Sequence, residues 1–591
     1  MEQQYDTSLR EGKMEKSKKE EADLVFENGS IYTVDAKRSW AEAVAIRDGS
    51  IVYVGKNDGL TPYKGADTKV IDLKGKMVLP GFFDAHCHAS QGAILLTKAV
   101  DLVGFDSVEA YEEVVAKFAA DNPEPPVIQG LGWSNTLFGM RGPNKGLLDC
   151  ILPERPAVFY SEDGHSLWVN SKALEAAGIT KGTADPKGGT IERDLETGEA
   201  TGTLRESAMG LVSKNLPDFT EEDYIEAFIA FQEKANALGF TTVHDPLLYH
   251  KLGGADFSPS DNSARAIERL QRERCLTIRY RGSWAEVPER SATEQISAFS
   301  EESKEHTGDL FQAHSIKLFA DGVIEGGTAY LLEPYANEPG NWGKEFSRDY
   351  EAYREAIMAF DKAGFQVHVH AIGDAATRMT LDAFEYAQRI NGKRDSRHSI
   401  THLQLVAPED IDRMAKLGVI GLPQPYWFMK DDYYWTLQLP YLGKERADKE
   451  YPMKSLIDAG VIMASASDFP VPSTNPFTSK GNPFPYPMVG IYCGVVRSAP
   501  GATTDPNKVL KEGESGVLWA EERASLDDMI ASFTINGAYA NFLENEVGSI
   551  EVGKKGDLIV LSNNLFEVPV EKIPKTEVVM TLFKGKIVYE R

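Results

Sequence analysis

The sequence predicts an α/β architecture, a (β/α)8 TIM barrel, with a small β-sandwich domain formed by both termini. Three observations carry that expectation. Eight short, near-continuous apolar runs end in polar or small residues, amphipathic helical stretches follow most of them, and a β-rich texture near residue 24 returns in the last forty residues. Strands buried on both faces and alternating with helices belong to a parallel sheet, and eight such units close a barrel. With 42% hydrophobic and 10% aromatic residues among 591, the chain carries enough apolar side chain to fill a large core.

Taken in order, residues 1–22 are dense in Lys and Glu and lack the apolar run of a secretory signal, which predicts a disordered charged tail. Residues 23–76 alternate apolar runs with turns (24–26, 31–34, 43–46, 51–54), and 546–591 repeat the pattern, so the two ends are expected to build one composite β domain. The barrel is expected over 77–545, with strands at 77–86, 240–245, 276–284, 315–321, 365–370, 399–402, 419–424 and 461–468. Helical patterns cover 349–363, 374–390, 408–417 and 451–459. About 150 residues separate the first strand from the second. This insertion, at about 90–220 with a Gly- and Thr-rich hairpin over 188–204, is expected to cap the barrel mouth, where long connections build active-site lids.

Lys and Arg number 63 against 89 Asp and Glu, a net charge of −26 that repels phosphate backbones and anionic lipid. The acidity is read as a solubility feature, and neither nucleic acid nor membrane is expected as a partner. The four cysteines (Cys87, Cys150, Cys275 and Cys493) form no C-x-x-C pair, which points to a reducing compartment, and no stretch approaches 18 apolar residues. A cytoplasmic protein acting on a small molecule is expected, with a homodimer as the candidate assembly. There is no G-x-S-x-G elbow and no phosphate-cradling Gly loop, so serine-hydrolase and nucleotide-dependent chemistry are disfavoured.

Five of the eleven histidines fall at or beside the C-terminal ends of the proposed strands, where barrel enzymes place their catalysts. His86 and His88 are two apart and so share one side of a strand, ready to share a cation, although a lone His-x-His is weak evidence. Lys317 stands in the middle of the apolar run Ile316-Lys317-Leu318-Phe319, a placement that requires either an acidic partner or a modified amine. His368 and His370 share a face of their run, so one is a ligand candidate and the other a packed neighbour. His402 ends the next run, and Asp468 closes Met463-Ala464-Ser465-Ala466-Ser467-Asp468, where it is able to bind metal, accept a proton or cap a turn. Packing alone does not require imidazoles, one lysine and one carboxylate on the first, fourth, fifth, sixth and eighth strands.

This succession, His86-x-His88, Lys317, His370, His402 and Asp468, resembles the amidohydrolase superfamily. Closer motifs resemble its YtcJ-like branch, which includes N-substituted formamide deformylases: Pro80-Gly81-Phe82-Phe83-Asp84-Ala85-His86, Asp163-Gly164-His165-Ser166-Leu167-Trp168-Val169-Asn170-Ser171, Ile316-Lys317-Leu318-Phe319-Ala320-Asp321-Gly322 and His370-Ala371-Ile372-Gly373-Asp374. The resemblance spans roughly residues 24–591. It implies two divalent metal ions, zinc being the expected element. One would be held by His86, His88 and Asp468 and the other by His370 and His402, with a carboxylated Lys317 bridging both, and His368 structural. It further implies that water attacks an amide-like C–N bond. Asp468 would act as proton carrier and His165 would donate to the carbonyl oxygen, the alternative for His165 being a surface loop position. Trp133, His165, Asp321, Tyr426 and Trp427 are the candidate substrate contacts, although the aromatics suit a core equally well. Val323-Ile324-Glu325-Gly326-Gly327 departs from the small and basic residues common there, which bears on substrate choice. Two rival functions stay open: a deaminase of heterocycles using one metal, and a non-catalytic regulatory protein on the same scaffold.

Overall fold

The computed structural model describes residues 21–105, 107–252, 260–343, 349–471 and 485–591. Of the expected N-terminal tail, residues 1–20 lie outside the described residues. A seven-stranded sheet carries the candidate chemistry. Its strands are β1 (Phe82–Asp84), β2 (Phe240–Leu248), β3 (Arg279–Ala285), β4 (Phe311–Phe319), β5 (Gln366–Ala371), β6 (Ser399–His402) and β7 (Ile420–Leu422), lying side by side in sequence order. From β3 to β7 each pair is parallel, with Lys317 opposite His368 and Phe319 opposite His370.

Neighbouring parallel strands need a crossover, and helices supply it. Tyr350–Lys362 links β4 to β5, Asp374–Asn391 links β5 to β6, and Pro408–Leu417 links β6 to β7. Their ends follow local chemistry. The Asp349 carboxylate accepts the Ala352 N–H at 2.9 Å, Pro408 occupies the first turn where no N–H is needed, and Gly418 takes the left-handed conformation (φ 72°) that stops the helix.

Two of the expected strands differ from the sequence reading. Residues 77–86 divide at Gly81: Met77–Pro80 pairs antiparallel with Leu558–Leu561 in another sheet, and only Phe82–Asp84 joins the seven-stranded one. A Cβ at Gly81 would lie 2.3 Å from the Thr241 side chain, so glycine permits the close passage at the break. Residues 461–468 form no regular strand. Their contact with β7 is one parallel bridge, Met463 to Gly421, while Ala464 N–H donates to the Gly421 carbonyl. On the other side, Ala85 N–H donates to the Ser465 carbonyl and Asp468 N–H to the His86 carbonyl at 2.8 Å.

The chain forms two compact units. The smaller comprises residues 21–83, Ala235–Thr242 and Leu526–Arg591. It contains a four-stranded and a six-stranded sheet, and Leu24, Phe26, Val44 and Ile46 of the first share one buried cluster with Ile31, Val78, Leu558 and Leu582 of the second. The larger unit comprises Asp84–Lys234 and Val243–Ser525. Its early portion folds as a further six-stranded sheet, in which Gly189–Arg193 and Ala200–Glu206 make the antiparallel hairpin expected from their Gly and Thr content. Trp133, Phe159 and Trp168 fill a core in this portion.

Candidate metal centre and active site

The end of β1 and the segment closing at Asp468 are tied together by backbone before any side chain meets. His88 N–H donates to the Phe469 carbonyl and Asp468 N–H to the His86 carbonyl, both at 2.8 Å. The helix Ala89–Thr97 then starts directly after His88, and at Gly92 any Cβ would fall 2.0 Å from the Phe469 ring. Glycine there allows the helix to close on Phe469 and fixes the two segments. Asp468 (φ 61°) and His402 (φ 75°) both hold left-handed backbone, a strained conformation concentrated where side chains must be aimed.

Held this way, His86 Nε2 lies 3.0 Å and His88 Nε2 3.3 Å from Asp468 Oδ1. His86 Nε2 and Asp468 Oδ1 are buried and make no aligned hydrogen bond. All three ligand-type atoms lie within 4.8 Å of one another. Two imidazole nitrogens and one carboxylate oxygen gathered without bonding each other fit a divalent metal of the zinc class. Burial, reinforced by the Lys317 charge, drives the His86 imidazole well below its ordinary range. Burial acts to raise the Asp468 pKa, and the His86 and His402 imidazoles beside it override burial and hold the carboxyl well below its ordinary range. A neutral His86 imidazole beside an ionised carboxylate suits metal ligation.

The other expected residues gather at the same place. His402 Nδ1 is 3.9 Å from Asp468 Oδ2, and the His402 and His370 rings lie 4.5 Å apart. His370 Nε2 faces the Gly322 carbonyl at 3.1 Å. Lys317 is 1% exposed, and among the described residues its amine has no ion pair; its Nζ lies 4.9 Å over the Phe319 ring. Burial lowers its pKa to about 7, with the Asp468 charge acting in the opposite sense. A second layer supports the first. His86 Nδ1 lies 2.7 Å from His368 Nε2, and His402 Nδ1 lies 2.9 Å from Gln424 Oε1.

A cavity of about 350 Å³ opens onto His86, His88, Lys317, His370, His402 and Asp468. His165 lines it too, with its Nδ1 2.9 Å from Glu206 Oε2 and its ring 5.2 Å from that of His370. Burial acts to lower the His165 pKa, and the Glu206 carboxylate overrides it, holding the imidazole at about 9.

The amidohydrolase family's sequence model matches residues 69–589. The chain belongs to the amidohydrolase family.

Among its relatives, Protein LONG AFTER FAR-RED 3 of Arabidopsis thaliana is 32% identical over 96% of this chain and 92% of its own. The putative amidohydrolase YtcJ of Bacillus subtilis is 29% identical over 96% and 99%, and the N-substituted formamide deformylase of Arthrobacter pascens 27% identical over 96% and 98%. The crystal structure of an uncharacterized metal-dependent hydrolase from Pyrococcus furiosus aligns with a TM-score of 0.66 and 26% identity, covering 92% of this chain and 99% of that one.

The substrate contacts expected of this amidohydrolase divide in two. Trp427 and His165 line the cavity. Trp133, Tyr426 and Asp321 do not line it. Trp133 is wholly buried and donates its indole N–H to the Phe159 carbonyl, Tyr426 is 1% exposed, and Asp321 accepts the N–H groups of Tyr330, Ile372 and Gly373. Asp321 therefore organises the loops that follow β4 and β5. The sequence reading did not single out Glu162, Gln404 and Asp431, which line the cavity, and it noted Glu325 only as part of a departure from the family pattern. They come from separate loops with no shared spacing, and only folding brings them together.

Proposed function

We propose that the chain is a metal-dependent hydrolase that cleaves the C–N bond of a small amide-like molecule, on a (β/α)8 barrel closed by residues 461–468 between β7 and β1. The termini would pack as a β-sandwich, and the portion at about 90–220 would cap the barrel. The observation that carries the reading is the meeting of His86, His88 and Asp468 at a cavity shared with Lys317, His370 and His402. The formamide deformylase relative supports the choice of bond.

His86, His88 and Asp468 would hold one ion, His370 and His402 a second, and Lys317 would bridge them. Its amine, brought near neutrality by burial, is free to add carbon dioxide and lose a proton, becoming an anionic carbamate. Divalent metal supplies a Lewis acid that polarises the carbonyl and brings the pKa of water from 15.7 toward about 7. Asp468 takes a proton from the attacking water and returns it to the departing nitrogen, so that an amine leaves rather than its anion. His165, oriented by Glu206, donates a hydrogen bond to the oxygen that gains charge. Trp427, stacked on His402 with ring centroids 5.7 Å apart, walls the cavity.

One observation favours a second reading with a single ion. His370 Nε2 is turned to the Gly322 carbonyl, and among the described residues only His86, His88 and Asp468 form a close ligand group. The test is a screen of metal-replete and chelated protein against N-formyl, N-acyl, cyclic amide and carbamate substrates. Hydrolysis that chelation abolishes and divalent metal restores is the expected result, and hydrolysis indifferent to chelation would overturn the proposal.

A further inference from the structure

Thr328, in the loop that follows β4, does not line the cavity, yet its hydroxyl meets the residue that holds His165. Thr328 Oγ1 lies 2.7 Å from Glu206 Oε1, and Glu206 Oε2 lies 2.9 Å from His165 Nδ1. Both carboxylate oxygens are thus held, one by the threonine and one by the imidazole. The direction of the hydroxyl follows from its surroundings. Val323 N–H donates to Thr328 Oγ1 at 3.0 Å, so the single hydroxyl hydrogen points elsewhere. The Glu206 carboxylate is a nearer and more strongly charged acceptor for it than the Val323 carbonyl at 3.3 Å.

The surrounding backbone is built for this contact. Glu206 ends the strand Ala200–Glu206 in left-handed backbone (φ 49°), a conformation that costs a glutamate energy and is met where a side chain must be aimed. Its N–H donates to the His165 carbonyl at 3.1 Å, so main chain and side chain both tie it to His165. Gly322 makes the room. A Cβ there would fall 2.1 Å from Thr328 Oγ1 and 2.4 Å from Glu206 Oε1.

We propose that Thr328 is a positioning residue: its hydroxyl anchors one oxygen of Glu206 so that the other receives His165 Nδ1–H, which aims the imidazole into the cavity it lines. A glutamate carboxylate turns readily about its last bond, so without the anchor the pairing with His165 becomes one arrangement among several. A threonine that served only its own turn would act through Val323 and Gly322, whose backbones it also bonds, and its hydroxyl would leave His165 unmoved. The use of His165 as a donor to substrate rests on the hydrolase reading; the hold of Thr328 on Glu206 and His165 does not.

The test is NMR of metal-replete, full-length protein carrying isotope-labelled histidine, with the His165 signal identified by its loss in His165→Gln. The wild-type chain is expected to show a proton on Nδ1 at the low field of a bond to carboxylate. Thr328→Val, similar in shape but lacking the hydroxyl, should lose or shift that signal, and Thr328→Ser should restore it. On any substrate the wild-type chain hydrolyses, Thr328→Val should lower kcat about tenfold with KM little changed, because the donated bond strengthens as the oxygen gains charge, and Thr328→Ser should recover most of the rate. If Thr328→Val does not fold, Thr328→Cys makes the milder comparison, its weak thiol donor being expected to weaken the signal. A His165 signal unmoved in the folded variant, or a Thr328→Ser chain that matches Thr328→Val, overturns the inference. The signal needs no substrate, so a wild-type chain without turnover bears on the hydrolase reading alone.

Discussion

The Nδ1 of His86 lies 2.7 Å from the Nε2 of His368, and both rings are buried. In the proposed metal centre His86 binds through Nε2, so the hydrogen of this contact would sit on Nδ1 and His368 Nε2 would accept it. His368→Leu removes the acceptor while keeping an apolar side chain. Zinc affinity, measured by competition with a chelator dye, is expected to fall about 10–100-fold, and unchanged affinity would make His368 a packing residue only.

Asp468 has two parts in the proposed chemistry, and one substitution separates them. Asp468→Asn keeps an oxygen that can ligate but cannot carry a proton. Metal content should remain largely intact while kcat falls about 10²–10⁴-fold. Loss of metal in step with activity would reduce Asp468 to a ligand.

His165 should impose an alkaline limit. As an imidazolium held at about 9 it donates below that pH, so kcat/KM is expected to decline as pH rises through about 9. Glu206→Gln leaves burial unopposed and should move that limb to lower pH. The sign for stability is the same: with a folded pKa above the ordinary 6.5, the His165–Glu206 pair stabilises the fold fully below about pH 6.5 and loses that contribution as pH climbs through about 9. A pH profile unaltered by Glu206→Gln would contradict the assignment.

The two tryptophans should part company. Trp133→Ala empties a wholly buried site and removes the indole hydrogen bond to the Phe159 carbonyl, a loss of about 3–5 kcal/mol in urea unfolding. Trp427→Ala removes a partly exposed cavity wall and should instead raise KM with a smaller loss of stability. Equal effects on stability and KM from both substitutions would undo the distinction.

Much of this site was legible before folding, for a physical reason. Parallel strands all end on one side, so polar residues closing apolar runs converge even when, like His86 and Asp468, they are nearly four hundred residues apart. What the pattern cannot hold is orientation. His368 and His370 share a strand face, and only the packed structure shows His368 against His86 and His370 at the cavity. Trp133 and Tyr426 read the same in an apolar run whether they line a cavity or fill a core. The break at Gly81 hides inside one continuous apolar stretch, and the irregular path of 461–468 depends on partners at Gly421 and His86 that no local pattern names. Glu325, Gln404 and Asp431 belong to three loops, and their meeting is purely tertiary.

The account turns on the metal and on Lys317, and elemental analysis of metal-replete protein beside Lys317→Ala tests both together. The wild-type chain is expected to hold close to two divalent ions. Lys317→Ala is expected to lose metal and activity together, because a methyl cannot replace an anionic bridge between two cations. A wild-type chain that binds one ion or none, or a Lys317→Ala variant that keeps two with near-normal turnover, would contradict it.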